Sequence, residues 1–485
     1  MPSKTGDYAL WVQSHATIEG ERVIGSTFPV AFSVAPLQRA AGQFSGWVRN
    51  AGDPKKNGSV MLAVGESGKL SAKVEAAGQT LSFSKPAYDA ETNGTVYVRL
   101  EAQAPKTAAG GGYRPVLALA VSMASGEATG TLTLSETSPA SSVRLFRNNW
   151  KEPSMAEVAA AVTGYYTVAL PVAAATAQAP LGSGYLTLTL GGSGSAKLSG
   201  VLADGKSWSA SATLLASEET EDLGAAGLRT NMAVRVLVFA AQKAYRNAGG
   251  VCGLLRFVAD EASGGLRVES DPEMALRWWN ADGKAVYGYD PQAAEQGFDA
   301  ELEASGGFYD TLMNLQTWYL GRTLAFGAFG GATPAPVGYN GTDDTVSGYT
   351  LVDETPEGLQ VTVLPQALTA PRKALALEAG GAIDFDGSVN PCGLTLGYVR
   401  ATGLLSGGFT LYYQGAAPGA AYKTKTCKFK GVLTPVRDKG GAWASSEGQG
   451  FYLVPDKAAY TAEAGKAVAY TFNRSYRLTL ESAGQ

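Results

Sequence analysis

The sequence is poor in charge. Only 17% of its 485 residues are Asp, Glu, Lys or Arg, against about 25% in an average globular protein. It has a single histidine, His15, so a histidine metal cluster lacks its ligands; a Ser-His-Asp triad would have to use His15, and no Gly-x-Ser-x-Gly elbow accompanies it. No stretch approaches the ~20 apolar residues of a membrane-spanning helix. Lys and Arg nowhere cluster with interleaved aromatics, and the net charge is −4, which disfavours a nucleic-acid partner. The most basic stretch, Lys423, Lys425, Lys428 and Lys430, reads as the wet face of a strand. Walker and dinucleotide motifs are absent.

Three cysteines are too few, and too widely spaced, for a zinc or redox motif. Cys252 sits in an apolar run and reads as a buried thiol. Cys392 and Cys427 fall in what read as neighbouring strands, which makes them candidates for a disulfide; mass with and without reductant tests the pair. Met1-Pro2-Ser3-Lys4 opens without the apolar core of a signal peptide, as in a cytoplasmic protein or a chain whose leader has been removed. The Gly/Thr-rich, charge-poor composition favours the second, and with it an extracellular or cell-surface setting.

What the chain has is apolar surface and corners. Hydrophobic residues make up 45% and glycines number 61. That combination suits short strands joined by tight turns. Its length exceeds a single core, which stops growing near ~250–300 residues.

Internal repetition is the strongest signal. Residues 60–84 read VMLAVGESGKLSAKVEAAGQTLSFS and residues 186–212 read LTLTLGGSGSAKLSGVLADGKSWSASA. Each gives an apolar strand, a glycine turn, Lys-Leu-Ser, a second strand, a turn at Gly78 or Gly205, and a third strand with alternating serines. The match runs on in order. Gly42–Trp47 faces Gly164–Ala169, Val96–Glu101 faces Val234–Phe239, and Val143–Arg147 faces Ala275–Trp279. Asp204-Gly205 is a hairpin signal, because the turn needs positive φ. The C-terminal third keeps this pattern in strands at 403–413, 426–433, 448–454 and 467–480.

The expected fold is all-β: tandem antiparallel β-barrel or β-sandwich modules with very few short helices. The modules are expected at 1–152, 153–295 and 296–485, the third with divergent strand order. One helix is expected at Ser154–Val162, with Ser154 and Glu157 as a capping box, and a weaker one at Pro291–Ala304; each marks a boundary.

The strings at 182–190, 198–206, 401–409, 429–433 and 448–453 resemble β-rich repeat modules in the C-terminal regions of large surface or secreted proteins of Verrucomicrobia and related bacteria. The resemblance is clearest over residues 160–460. It implies a fold and an exterior setting, and supplies no catalytic residues to transfer.

Candidate sites are few. Asp384, Asp386 and Asn390, and separately Asp343 and Asp344, offer alternating oxygen donors of the kind calcium takes, though neither segment follows the EF-hand pattern and both suit plain turns. No other cofactor is expected. The aromatic doublets Trp278-Trp279, Trp318-Tyr319, Tyr412-Tyr413 and Tyr165-Tyr166 place one ring on each face of a strand. The outward ring can stack on a sugar or a partner, or pack between modules. The expected function is a non-enzymatic structural or adhesive protein of the bacterial surface, self-assembling into fibres. Its partners would be copies of itself, surface glycans or other surface proteins. The alternatives are a carbohydrate-binding accessory array and a hydrolase with an unrecognised site.

Overall fold

The structure is a computed structural model. It describes residues 6–19, 21–34, 40–103, 113–174, 180–218, 232–241, 249–260, 265–280, 297–309, 324–330, 335–336, 372–377, 383–385, 394–414, 422–434, 447–461 and 467–482. The described chain is almost wholly β, as the turn-and-strand pattern predicts, with one α-helix among the described residues. It falls into two compact units, Met1–Asn148 and Asn149–Gln485.

The first unit opens with a two-stranded hairpin, β1 (Gly6–Ile18) and β2 (Glu21–Val34). A meander follows: β3 (Gly42–Arg49), β4 (Gly58–Val64), β5 (Leu70–Ala76), β6 (Gln79–Lys85), β7 (Ala90–Thr92), β8 (Thr95–Glu101), β9 (Val116–Ser122), β10 (Glu127–Thr133) and β11 (Ser141–Arg147). The last strand pairs with the first, β11 with β3. At the other edge β6 meets the end of β8 through a Phe83–Ala102 bridge, where the Gln103 N–H donates to the Ser82 carbonyl at 2.9 Å. The sheet therefore wraps round one core, to which Phe44, Val48, Leu62, Val74, Leu119 and Leu145 contribute. Ser82 and Ser84 lie on the wet side, as their alternation predicts.

In the second unit α1 (Ala156–Val162) leads into β12 (Gly164–Leu170), β13 (Gly184–Leu190), β14 (Ser195–Val201), β15 (Ser207–Glu218), β16 (Met232–Ala241), β17 (Gly249–Asp260), β18 (Gly265–Ser270), β19 (Leu276–Asn280), β20 (Phe298–Leu302) and β21 (Ser305–Phe308). Strands β12 to β18 and β21 form a closed eight-stranded barrel, because β16 also pairs with β17 and β21 bridges β18 and β12.

The repeat is visible atom by atom. In the first copy the Gly65 N–H donates to Lys69 O at 2.8 Å and the Gly68 N–H to Gly65 O at 2.9 Å; in the second, Gly191 to Ser195 O and Gly194 to Gly191 O have the same lengths. Gly68 and Gly194 carry φ of +82° and +76°, which closes the turn without steric cost. The strands that open the two copies start at Gly42 and Gly164, with φ of +154° and +152°.

Three expectations change. The closing strand of the second copy is β21, not Ala275–Trp279. Strand β17 is long enough to pair with β18 at one end and with β19 at the other, and β19–β20 is an added hairpin on that outer half. Since β20 and β21 belong to this sheet, it continues past residue 295 to Phe308. In place of the expected helix, 298–302 form strand β20, while 291–296 lie outside the described residues.

The helix at 156–162 forms, but without the capping box. A 3-10 turn at Pro153–Met155 precedes it, so Ser154 lies inside the first turn and no side chain caps the N-terminus. Nor is it a free linker: Met155, Val158, Ala159 and Val162 belong to the second barrel's core. Its C-terminal carbonyls are satisfied by the Thr163 hydroxyl on Ala159 O (2.6 Å) and the Tyr166 hydroxyl on Val162 O (2.9 Å).

A third sheet holds β22 (Leu324–Gly330), β23 (Ala335–Pro336), β24 (Arg372–Leu377), β25 (Ile383–Phe385), β26 (Thr395–Val399), β27 (Leu404–Gln414), β28 (Tyr422–Thr434), β29 (Glu447–Thr461) and β30 (Ala467–Ser482), with order 25-24-22-30-29-28-27-26 and β23 beside β22. Its alternation serves two cores. On one face Phe409 meets Tyr452 edge to face, centroids 5.1 Å apart, and Tyr452 stacks on Tyr476 at 5.3 Å. Val432 and Phe451 point the other way, into the second barrel's core.

The positive-φ glycine turns yield a test. A Cβ at Gly194 would meet the Trp150 ring, whereas one at Gly78 (φ +71°) meets nothing. Gly78→Ala should cost about 1–2 kcal/mol of left-handed strain. Gly194→Ala should cost about 2–4 kcal/mol, since overpacking adds to the strain. Denaturant midpoints of the two variants check the difference.

Candidate functional site

The sites named by the sequence separate in the structure. Trp278 is fully buried and edge-on to Phe298, centroids 4.7 Å apart, while Trp279 is half-buried beside Gly250. The doublet thus splits across the two faces of β19, and its inner ring is core. Tyr166 likewise enters the barrel, edge-on to Phe257 and Phe308. Tyr165 turns outward to the third sheet, where its hydroxyl donates to Thr402 O at 3.1 Å. Tyr309 does the same at Arg400 O, 2.8 Å away, and the two rings meet edge to face. For this doublet packing between modules is what the outward ring does.

Tyr412 and Tyr413 lie on β27, paired with Thr424 and Lys423, and Asp384 lies on β25 opposite Ala376; their side chains are outside the described part. Trp318, Tyr319, Asp343, Asp344, Asp386, Asn390 and Cys392 lie outside the described residues. Cys427 is buried on β28 opposite Phe409. Among the described residues no group of three or more His, Cys, Asp or Glu is placed to hold a metal. Lys428 and Lys430 are exposed, in keeping with a wet strand face, and His15 is exposed on β1.

Two polar clusters escape the sequence reading. The first is buried on β16. Arg235 Nε donates to Asp271 at 2.6 Å and its Nη1 to the Ser217 hydroxyl at 3.1 Å. Asp271 also accepts from the Glu273 N–H at 2.8 Å. The signal was present: Arg235 is the one charge in the apolar run Met232–Ala241. The second joins barrel and third sheet. The Ser183 N–H donates to Gly450 O at 3.1 Å, the Leu181 N–H to Ser475 O at 3.2 Å, and the Ser475 hydroxyl to Ala203 O at 2.5 Å. Backbone groups carry most of this seam, and composition does not reveal them.

Displaced proton affinities follow burial. Desolvation pushes the Cys252 thiol and the Tyr185 hydroxyl each up to about 12, the second with help from Tyr165, and raises Tyr166 and Tyr309 further. Burial here holds each group in its neutral form. The exposed Asp89 is lowered, chiefly by its hydrogen bond from Lys85.

No family model matches the chain, and no curated protein is similar to it. Two solved structures align. A tryptophan-to-alanine mutant of the vaccine antigen transferrin binding protein B from Haemophilus parasuis is 9% identical, covering 98% of this chain and 86% of that one at a TM-score of 0.19. A presumptive outer membrane protein of Bacteroides fragilis is 10% identical, covering 55% and 96%, at 0.16. Neither score amounts to a shared fold. No helix among the described residues is long and apolar enough to cross a membrane.

Removing Arg235 strands a buried carboxylate, so Arg235→Ala should cost about 3–5 kcal/mol. Arg277→Ala, at the partly exposed Asp299 pair, should cost about 1 kcal/mol or less; equilibrium unfolding compares them. The tyrosines set an alkaline limit. Unfolded, they ionise near pH 10, and folded Tyr185 resists to about 12. The unfolded state therefore binds fewer protons as pH rises through that window, and stability present below pH 10 falls between 10 and 12. Thermal melts across that range should show Tm dropping steeply, and less steeply in Tyr185→Phe.

Proposed function

We propose that the chain is a non-enzymatic structural or adhesive protein of the bacterial exterior, secreted or held at the cell surface, which assembles with copies of itself. The filled second barrel is the observation that carries the reading. An eight-stranded barrel is wide enough either to be packed by its own side chains or to hold one small ligand. Tyr166, Leu188, Val234, Val236, Phe257 and Val268 are all buried in one cluster there. The glycine corners that resemble catalytic loops are hairpin turns repeated in both copies, and repetition of an unadorned turn is what a scaffold needs.

The titrating groups support the same reading. Catalysis needs neighbouring groups tuned in opposite directions near neutral pH. Here burial moves the tyrosines and Cys252, whose ordinary values already lie above neutral, further away from it. The described doublets add that Trp278, Tyr166 and Tyr165 spend their rings on packing, which favours scaffold over sugar platform.

Negative-stain electron microscopy of the purified chain over a concentration series should show ordered multimers or fibres. Dispersed single particles at every concentration would remove self-assembly from the proposal.

A further inference from the structure

The hairpin β1–β2 is the part of the first unit that the fold leaves uncovered. It forms a sheet of its own, and neither outer edge pairs with any other described strand. Trp11 is 66% exposed, Ile24 57% and Phe28 52%, with Val23 and Val30 close behind. From Trp11 to Thr17 and from Val23 to Val30 there is no Lys, Arg, Asp or Glu. Proteins guard exposed edges with such charges, with bulges, or by cover. Here a register shift between Gln13 and His15 and one proline, Pro29, are the guards present. A lone two-stranded hairpin in water is marginal at best, and long pairing gains stability from further strands or a covering face.

We infer that this hairpin is the assembly surface, and that its occupants are the same hairpins of further copies of this chain; the inference rests on the self-assembly reading above. The area argues for copies on both sides. Strands of 13 and 14 residues at about 3.4 Å per residue and two strands' width give each face about 440 Å². One face falls short of the roughly 800 Å² per partner of a stable pairwise interface, so a single hairpin-to-hairpin contact holds weakly and lasting assembly needs both faces engaged at once. Covering both faces with one kind of surface places each hairpin between two others, which propagates instead of closing as a dimer. Neutrality favours the same choice. The charges of the two strands are Asp7, Glu21 and Arg22, at the hairpin's two ends; between them a charged partner finds nothing to pair with over 11–17 and 23–30, while two such neutral stretches meet without repulsion.

The test is sedimentation velocity on the full chain across a concentration series, with three variants. The doubly charged Ile24→Lys/Phe28→Lys keeps the hairpin's length but puts like charges where copies would meet. Deletion of residues 6–34 removes the hairpin. Met61→Lys alters an exposed apolar residue on β4 and serves as the control. Expected is concentration-dependent growth beyond dimer for the intact chain and Met61→Lys, weakened by about tenfold or more in the lysine variant and abolished by the deletion. Equal assembly of all four proteins overturns the hairpin as the surface while leaving self-assembly standing. An intact chain that stays monomeric overturns both, and one that instead floats with phosphatidylcholine vesicles, dependent on residues 6–34, assigns the hairpin to a bilayer.

Discussion

The unpaired edge of a β-sheet is the constraint on which this structure depends. Each strand presents backbone donors and acceptors on both sides, and leaving a buried row unmatched costs about 1–3 kcal/mol per group. The second barrel meets the constraint by closure: β21 pairs with β12 on one side and β18 on the other, and β16 with β17. The first meander meets it by returning β11 to β3 and touching β6 to the end of β8. Once an edge is closed, alternation sorts the side chains. Leu186, Leu188 and Leu190 go inward, while Ser207, Ser209 and Ser211 face water. The glycine turns follow from the same need, because strands must reverse within a few residues to stay paired.

Much of this was legible. The colinear repeat located β3–β6 and β12–β15 strand by strand, since turn glycines and alternating serines are local signals with local causes. Closure was not local. Ser305–Phe308 reads SGGF, too short and too glycine-rich to be recognised as a strand, yet it seals the barrel because β12 lacks a partner on that side. Val143–Arg147 and Ala275–Trp279 share an arginine and aromatics, so composition matched them although their pairing differs. The capping box at Ser154 failed because Pro153 starts a tighter turn one residue earlier.

The site was legible in a narrower sense. Adjacent aromatics do split across a strand, as Trp278 and Trp279 or Phe451 and Tyr452 show. Which ring is free depends on whether a second layer covers the outer face. The sequence of β29 carried a hint, since Phe451 and Tyr452 are both apolar and both buried, as a doubly covered strand requires. Arg235 in its apolar strand carried another. The seam through Ser183, Gly450 and Ser475 is made mostly by backbone groups, which side-chain identity does not reveal.

Together these features describe a protein with a closed, filled second barrel and an N-terminal hairpin that stands as a sheet of its own among the described strands. Closure is therefore the claim to measure. Native-state hydrogen exchange should find the amides along the β12–β21 seam, Tyr166 to Ala169 and Ser305 to Phe308, protected to the same degree as those of the β13–β14 pairing. Seam amides that exchange as fast as a frayed edge, while β13–β14 stays protected, would contradict a closed barrel and with it the account built on it.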